Sequence, residues 1–154
     1  MNGRMLRLLF FALSVALASG TLFAAGPYQF YSVTPCRVID TRGATGATGG
    51  PALAGGAVRS FPINGICGVP ADAKAVVVNV VVVSPTGTGH IRLYPYNTPM
   101  PTVATLNFEA GDPAIANGAI LPATIDPTWN FSVYLGTGTG TTAQLVVDVS
   151  GYFR

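Results

Sequence analysis

The chain is short of charge. Asp, Glu, Lys and Arg make up only 9% of its 154 residues, against about 25% in an ordinary soluble domain. That scarcity excludes a charge-laced coiled coil, a polyelectrolyte tail and a surface built to neutralise phosphates, so no nucleic-acid partner is expected. Histidine occurs once, at His90, and cysteine twice, at Cys36 and Cys67. Two thiols without nearby histidine cannot complete a zinc shell. The acids come singly, so the chain has no Asp-rich loop of the kind calcium needs for its roughly six to eight oxygen ligands. Downstream of residue 25 no window carries a capped helical period.

Apolar residues, at 49%, and turn formers, with 19 Gly and 12 Pro, fill the sequence instead. The mean hydropathy of +0.48 says that the chain buries something. At its start, Arg4 and Arg7 precede the apolar run Leu8 to Leu17, which Ala18, Ser19 and Gly20 interrupt. A basic flank, a run shorter than the roughly 20 residues of a membrane span, and small residues near a cut describe a secretory signal peptide. Residues 1–25 are read as that leader and 26–154 as one domain, since about 129 residues suit one core and not two. Without the leader, Arg37, Arg42, Arg59, Lys74, Arg92 and Arg154 balance Asp40, Asp72, Glu109, Asp112, Asp126 and Asp148. In an exported chain, one Cys36–Cys67 disulfide is the expected state of the cysteines, closing a loop worth about 3–4 kcal/mol and stapling the Gly-rich segment 43–50.

Turn signals recur between short runs rich in Val, Ile, Tyr, Phe and Thr, which predicts an all-β, antiparallel sandwich, jelly-roll-like or immunoglobulin-like. The runs are 28–33, 36–40, 58–63, 75–84, 89–94, 103–108, 116–122, 131–135 and 144–149. In the last of them Leu145, Val147 and Val149 form one face, and Gln144, Val146 and Asp148 the other. The run from Ala75 to Val83 is valine on both faces, broken only by Asn79, which predicts a central strand covered on both sides. The segment 136–140, Gly-Thr-Gly-Thr-Gly, is read as a hairpin turn rather than a phosphate loop, having no Lys and no following helix. His90 is placed at a second hairpin exit, with Arg92 and Tyr94 on its side of the strand.

Phe30-Tyr31-Ser32-Val33-Thr34-Pro35-Cys36-Arg37-Val38-Ile39-Asp40-Thr41-Arg42 opens the body, and Asp148-Val149-Ser150-Gly151-Tyr152-Phe153 closes it. Between them stand Gly65-Ile66-Cys67-Gly68-Val69-Pro70, the 75–83 strand, Thr105-Leu106-Asn107 and Ala116-Asn117. In that order these segments resemble a widespread family of exported bacterial β-domains that open with FYxVxPCRVxDTR and close with DVxGYF. The resemblance implies an extracellular β-sandwich, often one unit of a longer surface protein. It brings no catalytic set and no ligand.

The chemistry-bearing residues are weighed one by one. His90 is a surface histidine, because no Gly-x-Ser-x-Gly elbow accompanies it, and no catalytic residue is expected. Asp40 and Arg42 are an expected ion pair, shared with Asp148, clamping the first strands to the last; Asp40 and Asp148 are also the weak calcium candidates, with no cofactor otherwise expected. Asn79, Asn107 and Asn117 interrupt apolar stretches, so each is expected to bridge loops or bulges. Trp129, Tyr94, Tyr96 and Tyr134 are an alternative aromatic platform for sugar. The expected function is a secreted, non-catalytic structural module that assembles with copies of itself, as a filament or cell-surface subunit. A carbohydrate-binding or adhesion module, with surface polysaccharide as partner, is the alternative.

Overall fold

The computed structural model describes residues 27–154; the expected leader lies outside them. Nine strands form: β1 (Phe30–Asp40), β2 (Leu53–Ala54), β3 (Val58–Phe61), β4 (Ala75–Val83), β5 (Gly89–Pro95), β6 (Leu106–Phe108), β7 (Ala114–Pro122), β8 (Phe131–Gly136) and β9 (Thr142–Phe153). One sheet is ordered β1-β9-β4-β7, with β2 also on β9; the other is ordered β3-β8-β5-β6. Every pairing between strands is antiparallel.

The pairs are nested. β5 pairs with β6, β4 with β7, β3 with β8 and β1 with β9, as in one long hairpin whose tip is the β5–β6 turn. Rolling that hairpin brings β9 against β4 and β8 against β5. This winding is a jelly roll and not an immunoglobulin order. It also corrects both hairpin readings of the Gly/Thr segments. β4 and β9 lie in one sheet, β5 and β8 in the other, so 84–88 and 137–141 are arches between layers. Glycine lets the arches pack on each other, since a Cβ on Gly87 would run into Thr137 and Thr141; beside them Thr86 N donates to Thr142 O at 2.9 Å, and Thr142 N to Thr86 Oγ1 at 2.8 Å, at the start of β9.

Period-two burial makes the core. Val76, Val78, Val80 and Val82 of β4 lie beside Leu145, Val147 and Val149 of β9, facing Phe61, Ile91, Phe131, Val133 and Leu135 of the other sheet. Phe61 and Phe131 stack with centroids 5.8 Å apart. β4 is central, as its composition predicts. Its second face is not covered: Val77, Val81 and Val83 are half-buried and Asn79 is exposed, because among the described residues no layer packs there. Cross-strand neighbours extend that outer face, Val77 to Ile120, Val81 to Ala116 and Val83 to Ala114. Phe30 and Phe153, level with Ala75, complete one end of it.

Candidate functional site

The outer face of the five-stranded sheet carries a row of charge. Period two alone would put Arg37 and Asp40 on opposite faces. A register shift between Arg37 and Ile39 inserts one extra residue and brings both to the outside. Arg37 then donates to Asp148 through Nε at 2.8 Å and Nη2 at 3.2 Å, and approaches Asp40 at 3.5 Å through Nη1. Arg42 closes the row on Asp40, with Nε at 2.7 Å and Nη2 at 2.6 Å. The expected Asp40–Arg42 pair is present, but the residue that reaches Asp148 is Arg37, which sequence reasoning passed over. Both calcium candidates spend their oxygens on guanidinium groups, and no group of three or more potential metal ligands occurs among the described residues.

The side-chain hydrogen bonds from Arg42, which outweigh the desolvation that opposes them, lower the pKa of Asp40 from 3.8 to about 2. A depressed carboxylate contributes stability that is fully present above its unfolded value and lost as pH falls through the folded one. The contribution of Asp40 should therefore disappear between about pH 4 and pH 2. Its size is about 1 kcal/mol, because the partner arginines are half exposed and solvent screens them. Acid unfolding of Asp40→Asn beside the wild type checks it: the two stabilities should converge below pH 2, and a constant gap would refute the assignment.

Cys36 and Cys67 form the expected disulfide, with Cα atoms 5.9 Å apart. β1 loses its register on β9 between Ser32 and Cys36, and the bond ties that interruption to the 63–69 turn. In the turn Gly65, Cys67 and Gly68 all take positive φ. The Gly-rich segment is held by something else. Arg59 enters from β3, lies 4.6 Å from the centre of the Phe61 ring, and donates to the carbonyls of Gly46, Gly49, Gly50 and Pro51. No carboxylate among the described residues pairs with it, and burial pulls its pKa down. Loop and strand together line an open cleft of about 650 Å³, which Tyr96 and Trp129 also line.

The other aromatics lie elsewhere. Tyr94 is buried, and Tyr134 sits across from Arg92 on the outer face of the second sheet, its ring 5.5 Å from that guanidinium. His90 accepts from Arg92 Nε at 3.1 Å through Nε2, and its pKa is lowered by burial and by Arg92. Its ring covers Gly136 so closely that a Cβ there would collide. Asn79, Asn107 and Asn117 are exposed; of the three, Asn117 makes a side-chain bridge, donating to Thr105 O at 2.7 Å.

The buried amide is Asn130, one residue outside the expected run 131–135. Its Oδ1 accepts from the N–H groups of Ile63 and Asn64, and its Nδ2 donates to the carbonyls of Thr124 and Asp126. The one available signal was its place immediately before an apolar strand.

The sheet edges differ in protection. β6 has three residues and β3 four, with Arg59 directed inward; β1 carries Pro35 and two register shifts. β7 is nine residues long, without charge, and its single Pro stands at the last position. No protein-family model matches the chain, and no curated protein matches it significantly.

Proposed function

We propose that the protein is a secreted, non-catalytic structural module that works by associating with copies of itself at an extracellular or cell surface. The observation that carries the reading is the uncovered side of the five-stranded sheet. Val77, Val81 and Val83 continue there into Ile120, 63% exposed, with Phe30, 53% exposed, at one end. Beside this apolar area the charge row of Arg37, Asp40, Arg42 and Asp148 is internally neutralised. Residues 27–154 balance six basic against six acidic side chains, so no long-range repulsion keeps copies apart. The disulfide suits an oxidising compartment, and no helix among the described residues is long and apolar enough to cross a membrane.

Assembly by lending the N-terminal strand has less support. Phe30 and Tyr31 pair with Phe153 and Tyr152 of the same chain, and the two tyrosine rings stack at 5.2 Å. Exported full chain, followed by light scattering and negative-stain microscopy over rising concentration, tests the reading. Growth in particle mass is expected; a monomer throughout, with no assemblies on the grid, overturns it.

A second reading rests on the cleft, where Tyr96 and Trp129 stand beside Ser60 and Arg59. Aromatic rings with a few polar groups suit the apolar faces of sugar rings. The same material applied to a glycan array should then be retained by a polysaccharide, with retention lost in Trp129→Ala; equal retention of the two removes it.

A further inference from the structure

We infer that β7 is the assembly edge and that it pairs with β7 of a second copy, antiparallel, about a two-fold axis at Asn117. This rests on the self-association proposed above and names its surface. The ladder with β4 fixes which groups point outward. Ala123 N donates to Lys74 O at 2.8 Å and Ser84 N to Pro113 O at 3.4 Å, so the odd-numbered residues of β7 spend their backbone groups on β4. In an antiparallel ladder the alternate residues then direct N–H and C=O away from that partner. These are Ala114, Ala116, Gly118 and Ile120, all exposed, and none makes a backbone hydrogen bond on that side among the described residues.

That row is complementary to itself. Turned by a two-fold through residue 117, Ala114 meets Ile120 of the other copy and Ala116 meets Gly118. Each of the four outward residues then gives one N–H and receives one on its C=O. The side chains they present to the outer face match large to small, Ile opposite Ala and Ala opposite Gly, and no charge opposes a like charge. No such match arises at β1, β3 or β6, with their shifts, inward arginine or short length. Joining two β7 strands makes one continuous sheet across both copies. It also extends the half-buried valine face of β4 over the boundary, and a contact of this kind closes as a dimer.

Sedimentation of the full chain, exported through its own leader, tests this with Ala116→Lys and Gly118→Pro. Both side chains would enter open space in the single chain, so each variant should melt as the wild type does. Lys places two cations diagonally across the axis, within about 8 Å of each other, and Pro deletes an outward N–H. Each should weaken dimerisation by at least about tenfold. Asn117→Cys should cross-link spontaneously, because non-hydrogen-bonded partners on the axis stand about 4.5 Å apart. Ala114→Cys should not, its two copies lying about 20 Å apart along the strands. Dimers that persist in both edge variants, without the register-specific cross-link, overturn the β7 pairing and leave self-association standing. A wild type that stays monomeric at its highest soluble concentration overturns both.

Discussion

Replacing Cys36 and Cys67 together by serine is expected to lower stability by about 3–4 kcal/mol and the melting temperature by on the order of 10 °C. The cysteines are 31 residues apart, so the bond removes considerable freedom from the unfolded chain. It also replaces, in the folded state, the ladder that β1 lacks between Ser32 and Cys36. Denaturant titrations of the double variant and the oxidised wild type measure the difference. Hydrogen exchange should locate it in residues 32–37 and 63–69 before the core strands. A loss below about 1 kcal/mol would show that β9 and the turn hold this region without the bond.

Arg59→Met should cost about 2–4 kcal/mol, unusual for a side chain on a four-residue edge strand. Methionine keeps the contact with Phe61 but takes the guanidinium from the carbonyls of Gly46, Gly49, Gly50 and Pro51, of which Gly46 and Gly50 keep a backbone donor and Gly49 and Pro51 do not. A hydrogen bond from a charged group contributes about 1.5–3 kcal/mol, and water will recover part of the loss by entering the open cleft. Arg59→Lys should rescue little, since an ammonium cannot reproduce the planar fork that reaches several carbonyls at once. Exchange across 43–51 should rise in both variants while β8 and β9 remain protected. Wild-type exchange in Arg59→Met would mean that the loop holds itself.

The sheets were legible because burial here follows period two. Leu145, Val147 and Val149 alternate with Gln144, Val146 and Asp148, of which only Val146 is apolar and buried, and the valines of β4 mark a central strand without any knowledge of its partners. What escaped was decided at irregular points. One extra residue near Val38 moves Asp40 to the face of Arg37 and makes the charge row; a reading by strict alternation separates them. Arg59 has the parity of a core residue and reaches its loop only because β3 is an edge, and edges follow from topology rather than composition. Asn79 and Asn117 interrupt apolar stretches and so resembled buried amides, while Asn130 precedes its strand and interrupts nothing. The glycine arches were taken for hairpins because Gly and Thr serve both uses; only the sheet on which each following strand lands separates them.

The nesting of the pairs sets an order of assembly in time. β5 and β6 are the one consecutive pair that are also neighbours in a sheet; every other closure spans more chain, out to β1, whose sole strand partner is β9. Gln29 and Arg154 exchange both backbone bonds, at 2.9 and 3.1 Å, so the outermost closure joins the first described residues to the last. Contacts so distant in sequence make folding slow. While the final strand is still being synthesised, Phe30–Asp40 lacks the strand it pairs with in the folded chain. The disulfide faces the same delay in a milder form: Cys36 must wait only for Cys67, and can therefore be joined well before β1 finds its place.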